Sequence, residues 1–214
     1  SRSLMKTLEE PGDNVLIILV ARSTKVFPET IASRCQVIAL SQVPTETIAA
    51  SLVAREKCSN DEAIILGRLA RGRPGWAFTA ASDPTALSHY KQAVTRITDV
   101  IGYRLDEKFQ YARELAAEFR RNQTAVFDEL DLWQAWWRDI LLIKNGLREA
   151  VVHTEWHHIL EVTGRQVQNT DVARVIRAIG WTKNVLVENA LPQLALEVLM
   201  LELPRVSGET PTRI

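Results

Sequence analysis

The chain has 214 residues, 46% apolar and 24% charged, which is ordinary for a globular protein and sufficient for one to three domains. Lys+Arg and Asp+Glu each number 26, so the formal net charge is zero; that argues against a free-standing nucleic-acid binder and leaves room only for a local basic strip in an assembly. Two cysteines, Cys35 and Cys58, are too few for a disulfide framework or a structural zinc site and fit reduced thiols in the cytoplasm, and neither a signal-peptide pattern nor a membrane-length apolar run occurs.

The first residues already follow a helical pattern, with Leu4, Met5 and Leu8 on one face. That start predicts a fragment whose preceding part is missing. Val15-Leu16-Ile17-Ile18-Leu19-Val20 follows, bounded by Gly12-Asp13-Asn14. A β-branched apolar run of this kind reads as a buried strand of a parallel sheet. A second short run, Val37-Ile38-Ala39-Leu40, predicts another strand. Between them lie Pro28 and a short helical pattern, Glu29 to Ser33, so Arg34 is expected at a helix exit, on a sheet edge, facing a neighbour. Residues 1–43 are therefore predicted to be part of an α/β module. Modules that hold ATP do so with a Gly-rich loop ending in Gly-Lys-Ser/Thr. This sequence contains no Gly-Lys pair. Val126-Phe127-Asp128-Glu129 imitates an acidic strand-end motif, but it sits in a helical pattern.

Residues 44–84 predict a small helical domain. Pro44-Thr45 opens a helix with Ile48, Leu52 and Val53 on one face. Ser59-Asn60-Asp61-Glu62 is a capping box, followed by Ile64, Ile65 and Leu69 as core positions. Gly72 suits the residue after a helix end, and Pro74 the first turn of a third helix carrying Trp76, Ala77 and Phe78. Three short helices bury little apolar area alone, so this unit is expected to lean on its neighbours.

Residues 85–214 read as all helix. Tyr90, Val94, Ile97 and Ile101 recur at helical spacing. A helix of roughly Asp106 to Arg121 places Phe109, Ala112, Leu115 and Phe119 inward and a charged face, including Lys108 and Arg113, toward solvent. Asp131 to Lys144 carries a wide apolar stripe of Leu132, Trp133, Trp136, Trp137, Ile140 and Leu141, expected to pack in a core or subunit interface rather than to stack on bases. His153, His157 and His158 cluster near Glu155 and Glu161; two histidines four apart share a helix face, yet no third metal ligand has clear spacing, so exposed or capping histidines are expected and no metal site is assigned. Asn169-Thr170-Asp171 starts a further helix that Gly180 does not stop. The chain restarts at Asn189 to Gln193 with a final helix so apolar, from Leu194 to Leu201, that burial on most sides is expected. Val206 to Ile214 predicts a flexible tail.

Leu4 to Pro11, the first apolar run and Ile31-Ala32-Ser33-Arg34-Cys35 resemble the second half of the ATPase module of bacterial DNA polymerase III clamp-loader subunits, of the AAA+ class. In that family a Leu-Glu-Glu-Pro element precedes the sensor-1 strand and a Ser-Arg-Cys motif follows it. The resemblance implies that Arg34 is an arginine finger acting in trans, with Ser33 and Cys35 as its motif neighbours. A planar, permanently charged fork stabilises charge developing on a transferred phosphoryl group by roughly 10³–10⁵ in rate. Ala21-Arg22-Ser23 departs from the Thr or Asn usual at sensor 1. Arg73-Pro74-Gly75, with Trp76 where an arginine is usual at sensor 2, resembles the delta-prime branch more than gamma/tau. Arg71 and Arg73 remain candidates for touching a phosphate beside their simpler reading as charges at a helix C-terminus. Trp136-Trp137-Arg138-Asp139-Ile140 and Asn189 to Leu203 are similar to the collar domains of the family.

The resemblance implies a mainly α protein: part of an AAA+ module (1–43), a helical lid (44–84) and a collar domain (85–214). It implies a stator that helps load a sliding clamp on primed DNA, partnered by gamma/tau and delta subunits, with ATP and magnesium held by those partners and no autonomous catalysis. Two alternatives stand beside it: an ATP-hydrolysing gamma/tau subunit lacking its nucleotide-binding half, and a structural helical adaptor in which Arg34 has no catalytic role.

Overall fold

A computed structural model describes residues 15–21, 24–55, 58–83, 85–188 and 191–206. Among them it contains ten α-helices, three short 3₁₀ turns and no β-strand, so the protein is mainly α. No helix of the described residues is long and apolar enough to cross a membrane. The chain divides into two compact units, Ser1–Gln42 and Val43–Ile214.

In the first unit, a 3₁₀ turn at Thr24–Val26 precedes α1 (Glu29–Ala32). Pro28 sits immediately before α1, where its fixed φ of −53° starts the chain well. Its carbonyl accepts the first two helical N–H bonds, from Ile31 and Ala32, at 2.9 and 3.1 Å. Among the described residues the two predicted strands do not form. Val15–Val20 and Val37–Leu40 have no ladder partner among the described residues, and Leu16 and Leu40 are 84% and 94% exposed. An apolar run becomes a parallel strand only when neighbours supply the hydrogen-bond ladder and cover both faces. The helix at Leu4 to Leu8 and the tail from Ser207 lie outside the described residues, as do Arg22 and Ser23.

The second unit begins with α2 (Thr45–Ala54), α3 (Asn60–Ala70) and α4 (Pro74–Ser82). Ser59 caps α3 through the predicted box: its hydroxyl accepts the Glu62 N–H, and Glu62 accepts the Ser59 N–H. Ile48, Leu52, Ala63, Leu66 and Ala77 form one small core. Small residues let these helices approach closely: a Cβ at Gly67 would stand 2.9 Å from the Thr45 carbonyl oxygen. The inward face of α3 is Ala63, Leu66, Leu69 and Ala70, while Ile64 faces out, and on α2 Val53 is also exposed. With Ala and Gly on the contact stripe the helices sit too close to admit a larger side chain there.

Then follow α5 (Ala86–Gly102), α6 (Leu105–Arg121), α7 (Gln123–Lys144), α8 (His157–Gln166), α9 (Asn169–Val187) and α10 (Pro192–Glu202). Their core is a single large cluster centred on α7, where Trp133, Trp136 and Trp137 are wholly enclosed. Asn122 caps α7 by accepting the Ala125 N–H at 3.1 Å. Asp128 and Glu129 lie within this helix, which disposes of the strand-end reading. Helix α9 runs through Gly180 without interruption.

Two expectations for these helices need correction. Among the described residues helix α10 packs chiefly on α6 and α9, and Leu194 and Leu201 remain exposed despite its nearly all-round apolar sequence. Lys108 is not on the solvated face of α6: it is 3% exposed. It lies among the buried residues of α6, with the Arg205 charge close enough to disfavour its own.

Candidate functional site

The Ser-Arg-Cys motif forms the exit from α1. The Ser33 N–H donates to the Glu29 carbonyl at 2.9 Å, Arg34 N–H to Ile31 at 3.1 Å, and Cys35 N–H to Ala32 at 3.3 Å. These shortening bonds close the helix and turn the chain outward. Ile31 is buried and anchors the turn; Arg34 is exposed, with Nη1 donating to the Thr30 carbonyl at 2.7 Å. Cys35 is a free, half-buried thiol. Among the described residues the predicted elements around Arg34 thus include the helix exit but not the sheet edge.

Arg71 and Arg73 flank the end of α3. Arg71 adopts the left-handed conformation, φ 48° and ψ 48°, and Gly72 follows at φ 78°. A non-glycine residue in this region costs roughly 1 kcal/mol. The conformation turns the Arg71 guanidinium onto α7, where it donates to the Asp131 carbonyl and pairs with the Asp131 carboxylate. Asp131 also receives the Lys183 ammonium from α9. Arg73 donates to Asp128 at 2.9 Å. Both candidate phosphate contacts are therefore engaged as a clasp between the α3–α4 turn and α7. Sequence spacing gave no sign of these partners, which lie more than 50 positions away.

The histidines do not converge. Among the described residues no group of three His, Cys, Asp or Glu side chains is placed to hold a metal ion. His157 faces Glu161 at 3.6 Å on one side of α8. His153 is buried rather than exposed, and its Nδ1 lies 2.7 Å from Asp139 Oδ2. That oxygen also accepts the N–H groups of Val152 and His153 at 2.8 and 2.9 Å, and Arg138 donates to Oδ1 at 3.0 Å. Burial disfavours the Asp139 carboxylate, but the His153 ring and backbone bonds with Arg138 outweigh it and hold its pKa below the ordinary value. The signal available in sequence was a single acid flanking the tryptophan stripe of α7.

A cleft of about 350 Å³ lies under the clasp, between the α3–α4 turn, α5 and α7. Trp76, Tyr90 and His153 line it together with Arg71 and Arg73.

Comparison with known proteins places these features in context. The family described as "DNA polymerase III, delta subunit" matches residues 1–44. DNA polymerase III subunit delta' of Bacillus subtilis (strain 168) is 24% identical over 203 residues, covering 95% of this chain and 61% of the relative. DNA polymerase III subunit delta' of Haemophilus influenzae (strain ATCC 51907 / DSM 11121 / KW20 / Rd) is 41% identical over 75 residues, covering 35% of this chain and 23% of the relative. The chain spans less than two thirds of the length of either. Both relatives are delta' subunits, the branch that the sequence resembles.

Proposed function

We propose that this chain is a delta-prime-type subunit of a DNA polymerase III clamp loader. The observation that carries this reading is the likeness to a delta' subunit along 95% of the chain. The family match over residues 1–44, which include the Ser-Arg-Cys motif, supports it. As part of that assembly the protein helps load a sliding clamp on primed DNA in the cytoplasm. Its role is that of a stator, held in a hetero-oligomer with gamma/tau and delta subunits.

Arg34 is its contribution to chemistry. The guanidinium is exposed at the exit of a short, anchored helix, as a group that reaches an adjacent subunit must be. ATP and magnesium belong to that partner; this chain supplies a fixed positive fork to charge developing on the γ-phosphate. Ser33 and Cys35 position the turn through their backbone bonds to α1. Arg71 and Arg73 act within the subunit, and no nucleotide contact is assigned to them.

The test is Arg34→Ala in the complete subunit, assembled with gamma/tau and delta. ATPase turnover and clamp loading fall at least tenfold, while native mass spectrometry still finds one copy of this subunit in the complex. Unchanged turnover in an intact complex removes the finger assignment. Failure of the unaltered subunit to assemble removes the clamp-loader reading itself.

A further inference from the structure

Helices α2–α4 and α5–α10 keep separate cores. Ile48, Leu52, Leu66 and Ala77 belong to the first, and the second is gathered on the tryptophans of α7. Where the two groups meet, the packing is loose. Leu69 of α3 is buried yet belongs to neither core. It lines both the cleft of about 350 Å³ under the clasp and a narrower space against Leu87 and Trp156. Protein interiors leave few voids larger than a water molecule, so an apolar contact bordered by two spaces gains little dispersion energy. Helix α4 packs on α5, which follows it in the chain, and this fixes one edge of the joint.

Polar contacts close the other edge. Among the described residues the hydrogen bonds that reach α7 from the α3–α4 turn come from Arg71 and Arg73, to Asp131 and Asp128. The two acids stand three positions apart on α7, so one helix face serves both arginines. Asp131 is held in turn by Lys183 of α9, which ties the receiving side to the large core. Arg71 is the one non-glycine residue with positive φ among the described residues. Such a conformation persists where its surroundings over-determine it, and here the contacts with Asp131 do so.

We infer that Arg71 and Arg73 form an ionic latch that holds α2–α4 against α5–α10, and that breaking it lets the three-helix group swing as a body about its α4–α5 edge and open the cleft. Each group keeps its own core through the motion, so few apolar contacts oppose it. A latch of modest strength is therefore sufficient. Arg73 and Asp128 are about half exposed and are screened by salt, whereas Arg71 and Asp131 are more enclosed and hold longer. The latch stands whether or not the proposed function does.

The full 214-residue chain provides the test. Spin labels on the exposed positions Ala50→Cys of α2 and Ala117→Cys of α6, with Cys35→Ser and Cys58→Ser, read the distance between the two groups. The latched chain gives one narrow distance distribution at low salt, and its width about doubles at about 1 M NaCl. Arg71→Gly with Arg73→Gln removes both guanidinium groups without straining the backbone, and gives the wide distribution at every salt concentration. Arg73→Asp alone sets acid against acid and widens the distribution; adding Asp128→Arg restores the pair and narrows it again. Circular dichroism finds the same helix content throughout. Should the double variant lose helix, Arg73→Asp and its Asp128→Arg partner decide alone. A narrow distribution in a folded double variant overturns the latch and leaves the α4–α5 packing as the whole joint. So does a wide distribution in the unaltered latch at low salt, or failure of Asp128→Arg to narrow that of Arg73→Asp.

Discussion

Asp139 and His153 form a wholly buried pair, with Oδ2 of one 2.7 Å from Nδ1 of the other. The same carboxylate oxygen gathers two backbone N–H groups, so one side chain of α7 fastens the turn before α8. Replacing the carboxylate takes away the acceptor that serves the His153 ring and these two buried N–H groups, which are then left poorly matched. Asp139→Asn should therefore cost about 3 kcal/mol, a drop of about 6–12 °C in melting temperature for a chain of this size. Thermal melts followed by circular dichroism measure it. A loss below about 1 kcal/mol means that the pair does not anchor the turn.

The same residue predicts an acid limb of stability. Asp139 has a folded-state pKa below that of the unfolded chain, so the unfolded chain takes up the proton first as the pH falls. Its contribution is complete above about pH 5 and is lost as the pH falls through the depressed folded value. Melting temperature between about pH 2 and 6 should fall more steeply for the unaltered chain than for Asp139→Asn. Parallel curves reject the assignment.

The clasp at Arg71 separates backbone from side-chain effects. Ala and Gly both remove the guanidinium, but only Gly accepts φ 48° without penalty. Arg71→Ala should be less stable than Arg71→Gly by about 1 kcal/mol. A double-mutant cycle of Arg71→Ala with Asp131→Ala should show a coupling of about 1–2 kcal/mol. Additive losses indicate that the two residues act independently.

Lys108 is 3% exposed, and its ammonium forms no ion pair among the described residues. Desolvation, then repulsion from Arg205, lowers its pKa, so folding disfavours the charged form. Lys108→Met keeps an unbranched chain of similar reach and removes the charge. It should raise stability by about 1 kcal/mol in urea unfolding, with an unchanged m-value. Destabilisation indicates that the ammonium has a partner in the folded protein.

Local order was legible in the sequence wherever its cause is local. The Ser59–Glu62 box, Pro74 opening α4 and the uninterrupted run of α9 depend on residues within one or two turns, and sequence displays those directly. The tryptophan stripe of α7 announced its burial because three large apolar side chains recur on one arc. Arg34 at a helix exit followed from Pro28 and a four-residue helix.

What only the tertiary structure decided were the long-range pairings and the exceptions to apolar pattern. Arg71 with Asp131, Arg73 with Asp128 and His153 with Asp139 join residues that no spacing relates, because a polar pair forms wherever packing brings the groups together. Among the described residues the apolar runs of the first unit remained without a ladder, Leu194 and Leu201 faced outward, and Lys108 went inside. Hydrophobicity states what a side chain gains from burial, but the neighbouring elements determine whether a surface exists to bury it.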